Sequence, residues 1–197
     1  MEQQNSLNTN WNILDRVIAK IRYNQVDKYV IENGKIVDIG CGQEGEFLLR
    51  HKDRIMQGYG LDYKINNHII DNIIFINNSQ TKNLPISKDD IDVVFLNAVL
   101  EHLPQPKNVL LEALSLLKKG GKIVMTTPTP LAKPVLELMA YKLHIINESE
   151  IREHVHYYSR KDIEELIKFL NSTHHVKLFR YETFELGLNS LIVIEKE

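Results

Sequence analysis

Two hydrophobic patterns alternate along the chain: short continuous apolar runs, and longer stretches whose apolar residues recur every three or four positions. From Trp11 to about Ile31 the second pattern holds, with Ile13, Leu14, Val17, Ile18 and Ile21 on one helical face, until Asn33-Gly34 breaks it. Lys35 to Ile39 reads as a strand and Glu44 to His51 as a helix. Gly58 to Leu61 reads as a second strand ending at Asp62, and Ile73 to Ile76 as a third. Ile91 to Leu96 is nearly all apolar, as a strand covered on both faces requires. Lys107 to Lys119 reads as a helix with Leu110, Leu114 and Leu117 on one face. Lys118 and Lys119 suit its C-terminal dipole, and Gly120-Gly121 suits its end. Lys122 to Thr127 is a fifth strand.

Beyond Pro128-Thr129-Pro130 the pattern changes. Pro134 opens a helix that reaches about Leu143. Ser159, with Asp162 three residues on, caps a helix whose stripe is Ile163, Leu166, Ile167 and Leu170. Two strand-like runs, Val176 to Glu182 and Ser190 to Glu195, close the chain around Gly187. Strand and helix in alternation predict an α/β fold, doubly wound around a mainly parallel sheet, with an antiparallel C-terminal edge. No linker divides the chain, so residues 1–197 are read as a single domain, with an N-terminal helical segment at 1–33.

Composition narrows the class. The 197 residues suffice for one substantial core, and 43% hydrophobic against 25% charged residues suits a soluble domain. A net charge of −2 provides no broad basic field, so nucleic acid is not the expected partner. Cys41 is the single cysteine, which fits a reducing compartment. Met1 to Asn5 has neither a basic leader nor an apolar core, and no apolar run reaches the roughly 20 residues that span a bilayer. A cytoplasmic protein without a transmembrane segment is expected; its oligomeric state is left open.

The chemistry concentrates at Asp38-Ile39-Gly40-Cys41-Gly42-Gln43-Glu44-Gly45. Its glycines satisfy G-x-G-x-x-G between a strand and a helix, where a backbone without Cβ atoms lets a ligand approach. The spacing fits a dinucleotide fold with Asp62 as the ribose acid, and it also fits glycines used for packing alone. Four features decide between these: D-x-G-x-G from Asp38, the acid Asp62 after Gly58-Tyr59-Gly60-Leu61, the segment from Asn97 to Pro104 containing Glu101-His102-Leu103-Pro104, and Lys118-Lys119-Gly120-Gly121 ahead of the fifth strand.

Together these resemble the class I S-adenosylmethionine-dependent methyltransferases, in particular the small-molecule methyltransferase group, over about residues 34–130. The resemblance implies the Rossmann-like, seven-stranded methyltransferase fold and S-adenosylmethionine as cofactor. It implies Asp38 near the methionine end, backbone approach at Gly40, Cys41 and Gly42, and Asp62 with the neighbouring Tyr63 at the ribose. S-adenosylmethionine has no phosphate, so an acid beside the turn is tolerated where a pyrophosphate would be repelled. Two departures stand out: Gln43-Glu44 lengthens the turn by one residue, and Gln80 stands where relatives often have an adenine-binding aspartate. The Gln80 carbonyl can accept from the adenine amino group, with Thr81 supplying a backbone N–H.

Asn97 closes the fourth strand as either a cofactor contact or a loop cap, and His102 is the candidate catalytic base. His154 and His156 would share one side of an extended segment, but no third ligand is evident, so no metal is expected. Residues 131–158 are read as a lid, in which core packing is the default for Leu136, Leu138, Met139 and Leu143. The expected activity is methyl transfer to a small-molecule, glycan or lipid-linked acceptor, on oxygen by preference. The alternatives are an NAD(P)-dependent oxidoreductase and a non-catalytic cofactor-binding homologue.

Overall fold

A computed structural model describes residues 13–78, 86–146 and 148–197. Eight strands form one sheet: β1 (Lys35–Ile39), β2 (Gln57–Asp62), β3 (His68–Ile70), β4 (Ile73–Asn77), β5 (Ile91–Asn97), β6 (Leu117–Pro128), β7 (Val176–Phe184) and β8 (Asn189–Lys196). Their order is β3-β4-β2-β1-β5-β6-β8-β7. The five central strands run parallel, while β8 is antiparallel to β6 and β7 to β8. This is the expected doubly wound architecture with its antiparallel C-terminal edge. The expected seven strands become eight because β3, a three-residue antiparallel strand, pairs His68–Ile70 with β4 at the edge. It is too short and exposed to leave a hydrophobic pattern in the sequence.

Alternation along the strands produces two cores. Val37, Ile39, Val94 and Leu96 face Leu110 and Leu114 of α3 (Pro106–Leu116) and Ile163, Leu166 and Leu170 of α6 (Arg160–Asn171). Ile36, Val93 and Phe95 belong to the opposite core, with Val26 of α1 (Ile13–Val26) and Phe47 and Leu48 of α2 (Glu46–His51). Ser159 caps α6 as expected: its hydroxyl accepts from the Asp162 N–H, and the Asp162 carboxylate accepts from the Ser159 N–H at 2.8 Å.

Three boundaries differ from expectation. α3 stops at Leu116, because Leu117 pairs with Ile91 in the sheet and Lys118 forms an ion pair with Asp92. Lys118-Lys119-Gly120-Gly121 is therefore the beginning of β6 and not a helix end. α2 starts at Glu46, so Glu44 lies exposed in the turn and not in the helix's first turn. After α4 (Ala132–Glu137) the chain continues as a π-helical turn over Leu138–Lys142, then α5 (Glu148–Arg152). Leu138 and Leu143 are exposed, and Leu136 and Met139 are only half-buried, so this stretch does not pack as core.

Candidate functional site

The C-terminal ends of β2, β1 and β5 lie side by side, where the chain departs to opposite sides of β1. That reversal opens a crevice at which α/β sheets bind ligands. Asp38, Asp62 and Asn97 all stand at these strand ends.

The three glycines of the turn between β1 and α2 have different duties. Gly40 (φ 75°) lies against Val99, whose Cγ2 would be 2.4 Å from an added Cβ. Gly45 (φ 59°) begins α2 against the Phe75 ring, 2.2 Å from an added Cβ. Gly42 (φ 72°) faces open space, with nothing among the described residues within 4 Å of the same position. Two glycines thus serve close packing, and the third leaves room for a ligand.

The turn's hydrogen bonds identify the kind of ligand that fits. The N–H groups of Gly40 and Cys41 both donate to the Leu61 carbonyl, at 2.7 and 3.2 Å. The Gly42 N–H donates to Asp62 Oδ2 at 2.9 Å. A pyrophosphate is gripped by free N–H donors, and these three are already used. The turn suits a ligand that itself donates.

Asp38 strengthens that reading. It is 2% exposed, and its Oδ1 has no hydrogen-bond partner among the described residues. Burial holds its carboxyl well above the usual carboxylate range, and the Asp62 charge pushes the same way. The Asn97 amide acts in the opposite direction, yet both its Nδ2 and Oδ1 are also buried without a formed hydrogen bond among the described residues. An orphaned buried polar atom costs about 1–3 kcal/mol; three in one crevice mark a place for a polar, cationic group. Cys41 is buried, and burial also pushes its thiol upward, so it is no thiolate nucleophile.

Asp62 Oδ1 accepts from the Lys64 N–H at 2.8 Å, which fixes the carboxylate while leaving lone pairs for two hydroxyl donors. Tyr63 is exposed, with the Lys64 ammonium 5.0 Å from its ring centre. Gln80 and Thr81 lie outside the described residues.

A second cluster follows β5. Glu101 and His102 lie on a 3₁₀ turn, Leu100–His102, and Glu101 is 1% exposed. Thr127 Oγ1 donates to Glu101 Oε2 at 3.0 Å, while the Glu101 carbonyl accepts the N–H groups of Val155 and His156. This brings the stretch after α5 against the turn. The His102 and His154 rings meet edge-on at 4.8 Å. Burial, with the charges of His102 and Arg22, lowers the His154 pKa to about 4. His156 turns away to Tyr158 and to Asp162, 3.6 Å distant. The two histidines therefore diverge, in a stretch that is not a strand and whose Val155 and His156 N–H groups share one acceptor. His154 instead joins Glu101 and His102, and one ligand atom from each lies within 4.8 Å of the others.

Sequence reasoning missed Arg22 and Tyr23. Adjacent on α1, they reach both clusters: Tyr23 senses the Asp38 charge, and Arg22 acts on Glu101 and His154. Their only signal was a polar pair interrupting the helical apolar pattern.

Residues 13–171 match a family model described as a methyltransferase domain, and the chain belongs to that family. S-adenosylmethionine is the methyl donor of this class, which excludes the nicotinamide alternative. No curated protein matches the chain. Solved structures share its fold. A Thermotoga maritima S-adenosylmethionine-dependent methyltransferase, titled a possible histamine N-methyltransferase, is 18% identical with a TM-score of 0.64, covering 92% of this chain and 90% of its own. An Archaeoglobus fulgidus methyltransferase is 18% identical at TM-score 0.64, covering 92% and 94%. A chain from the Haloferax volcanii complex of a methyltransferase with the Trm112 activator is 17% identical at TM-score 0.64, covering 90% and 94%. Among the described residues no helix is long and apolar enough to cross a membrane.

Proposed function

We propose that the protein methylates an oxygen of a small-molecule, glycan or lipid-linked acceptor. The observation that carries the reading is the buried, unpartnered set formed by Asp38 Oδ1 and the Asn97 amide beside the open Gly42. S-adenosylmethionine supplies an electrophilic methyl group on a cationic sulfur and leaves as a neutral thioether. Asp38 and Asn97 hold its ammonium, Gly42 admits it against the backbone, and Asp62 accepts from the ribose hydroxyls. Gly40 and Cys41 shape the turn, and Tyr63 borders the nucleoside.

The leaving group needs no acid, so the chain's task is to align the acceptor and manage its proton. His102 does this at the mouth of the second cluster. Its Nδ1 lies 3.3 Å from the Glu153 carbonyl, which orients the ring. Residues 131–158 form the lid on the acceptor side, and its exposed Leu138 and Leu143 offer an apolar surface to the acceptor. A methyl-transfer assay over pooled acceptors, with labelled donor, tests the reading. His102→Ala should lower turnover about 10²- to 10⁴-fold and leave S-adenosylhomocysteine affinity within twofold. A parallel loss of affinity would reassign His102 to the cofactor side.

A further inference from the structure

We infer that Glu101, His102 and His154 form a site for a first-row divalent metal ion, which binds and ionises the acceptor oxygen. The inference rests on the methyl-transfer reading for the acceptor side alone; ion binding itself is independent of it. One donor atom from each side chain lies within 4.8 Å of the other two, and the donor set is two imidazoles and a carboxylate. That set suits zinc, iron or manganese, and leaves coordination positions open to an incoming oxygen. Metal–ligand bonds of about 2.1 Å allow donors at most ~4.2 Å apart. The 4.8 Å bound on the three donor atoms lies close to that limit.

The surroundings argue more strongly than the three residues. A ligating histidine commonly has its second ring nitrogen held by a neighbour, which fixes ring and tautomer. His102 Nδ1 lies 3.3 Å from the Glu153 carbonyl, and His154 Nδ1 lies 3.0 Å from the Tyr157 hydroxyl. With Nδ1–H donating in each case, both Nε2 lone pairs are available. Glu101 is positioned in the same way, by Thr127 Oγ1 on Oε2. All three candidate ligands thus have an orienting partner: for Glu101 and His102 it lies on a different element or loop, and for His154 in its own loop.

Arg22 refines the class of acceptor. Its guanidinium acts on both Glu101 and His154, and its Nε is buried without a partner among the described residues. A divalent ion, one carboxylate and one guanidinium leave the site net positive. It therefore favours an acceptor bound as an anion, such as an ionised phenol or enol or a carboxylate. On loading, His102 ligates the ion, the acceptor O–H ionises on the metal, and its proton passes to solvent.

The test is calorimetric titration of chelator-treated full-length protein with ZnCl₂ and, separately, MnCl₂. One equivalent should bind saturably at micromolar concentration or tighter. His102→Ala and His154→Ala should each weaken it at least tenfold, and Tyr157→Phe, which keeps the fold's packing, by about three- to tenfold. S-adenosylhomocysteine affinity, measured on the same samples, should stay unchanged and reports on folding. Absence of saturable binding to either ion, or binding indifferent to all three substitutions, overturns the inference. Loss of methyl transfer in His102→Ala would then still support His102 as a direct base, so the two readings fail separately.

Discussion

At the scale of single residues, Gly42 and Gly45 should separate function from folding. Gly45→Ala sets a Cβ against the rigid Phe75 ring at a positive φ, which should cost about 2–4 kcal/mol. Gly42→Ala meets no neighbour and should cost about 1 kcal/mol of backbone strain, yet weaken S-adenosylhomocysteine binding more than tenfold. Thermal melts and titrations on both variants check this; equal stability losses would contradict it. Asp38 offers a second test. Its carboxyl is held above the carboxylate range by burial and by Asp62, and a bound ammonium favours the ionised form. Wherever that carboxyl is protonated in the free protein, cofactor binding should release protons, seen as a dependence of calorimetric heat on buffer ionisation enthalpy. Asp38→Asn should abolish that dependence; a dependence that persists in the variant would place the titrating group elsewhere.

Among elements, the joint between α2 and the 3₁₀ turn Asp27–Tyr29 carries the pH sensitivity most easily isolated. His51 is buried, with Nε2 2.9 Å from Asp27 Oδ1 and Nδ1 3.3 Å from Arg54 Nη1, while Arg50 also pairs with Asp27. Burial lowers the His51 pKa; Arg54 and Arg50 add to this, and Asp27 opposes it. A histidine depressed in the folded state is protonated first in the unfolded chain. Its contribution to stability is therefore full above about pH 6.5 and is lost as pH falls below that value. The midpoint of thermal unfolding should drop between pH 7 and 5, and His51→Gln should flatten the slope. Identical slopes in both proteins would count against His51.

The same scale shows what the sequence could carry. The turn from Asp38 to Gly45 and the cap Ser159–Asp162 were legible because strand, turn and helix signals are local. Leu117 misled because it satisfies the helical spacing of Leu110 and Leu114, while its strand assignment depends on Ile91, 26 residues earlier. The link between His154 and Glu101-His102 was illegible for the same reason: it is made by the lid's return across some fifty residues.

For the whole molecule, α1 unites the two halves of the crevice. Tyr23 packs on Phe47 with ring centres 5.3 Å apart and feels the Asp38 charge, while Arg22 acts on the acceptor-side cluster. The parallel sheet carries the proposed cofactor residues Asp38, Asp62 and Asn97 on three adjacent strands. In the proposed reading, the helix before it and residues 131–158 after it flank the acceptor. The nicotinamide alternative fails at this scale too, since the turn's first N–H donors are spent within the sheet and a buried acid stands behind them.

The most direct measurement is calorimetric titration of the wild-type protein and Asp38→Asn with S-adenosylhomocysteine, with NADH as a control ligand. The wild type should bind one equivalent saturably and ignore NADH. Asp38→Asn should bind about 10- to 150-fold more weakly, as loss of a charge-assisted bond worth about 1.5–3 kcal/mol requires, with a melting temperature no lower than wild type. No saturable binding at millimolar ligand, or equal affinity in the two proteins, would contradict the assignment of this crevice to the methyl donor.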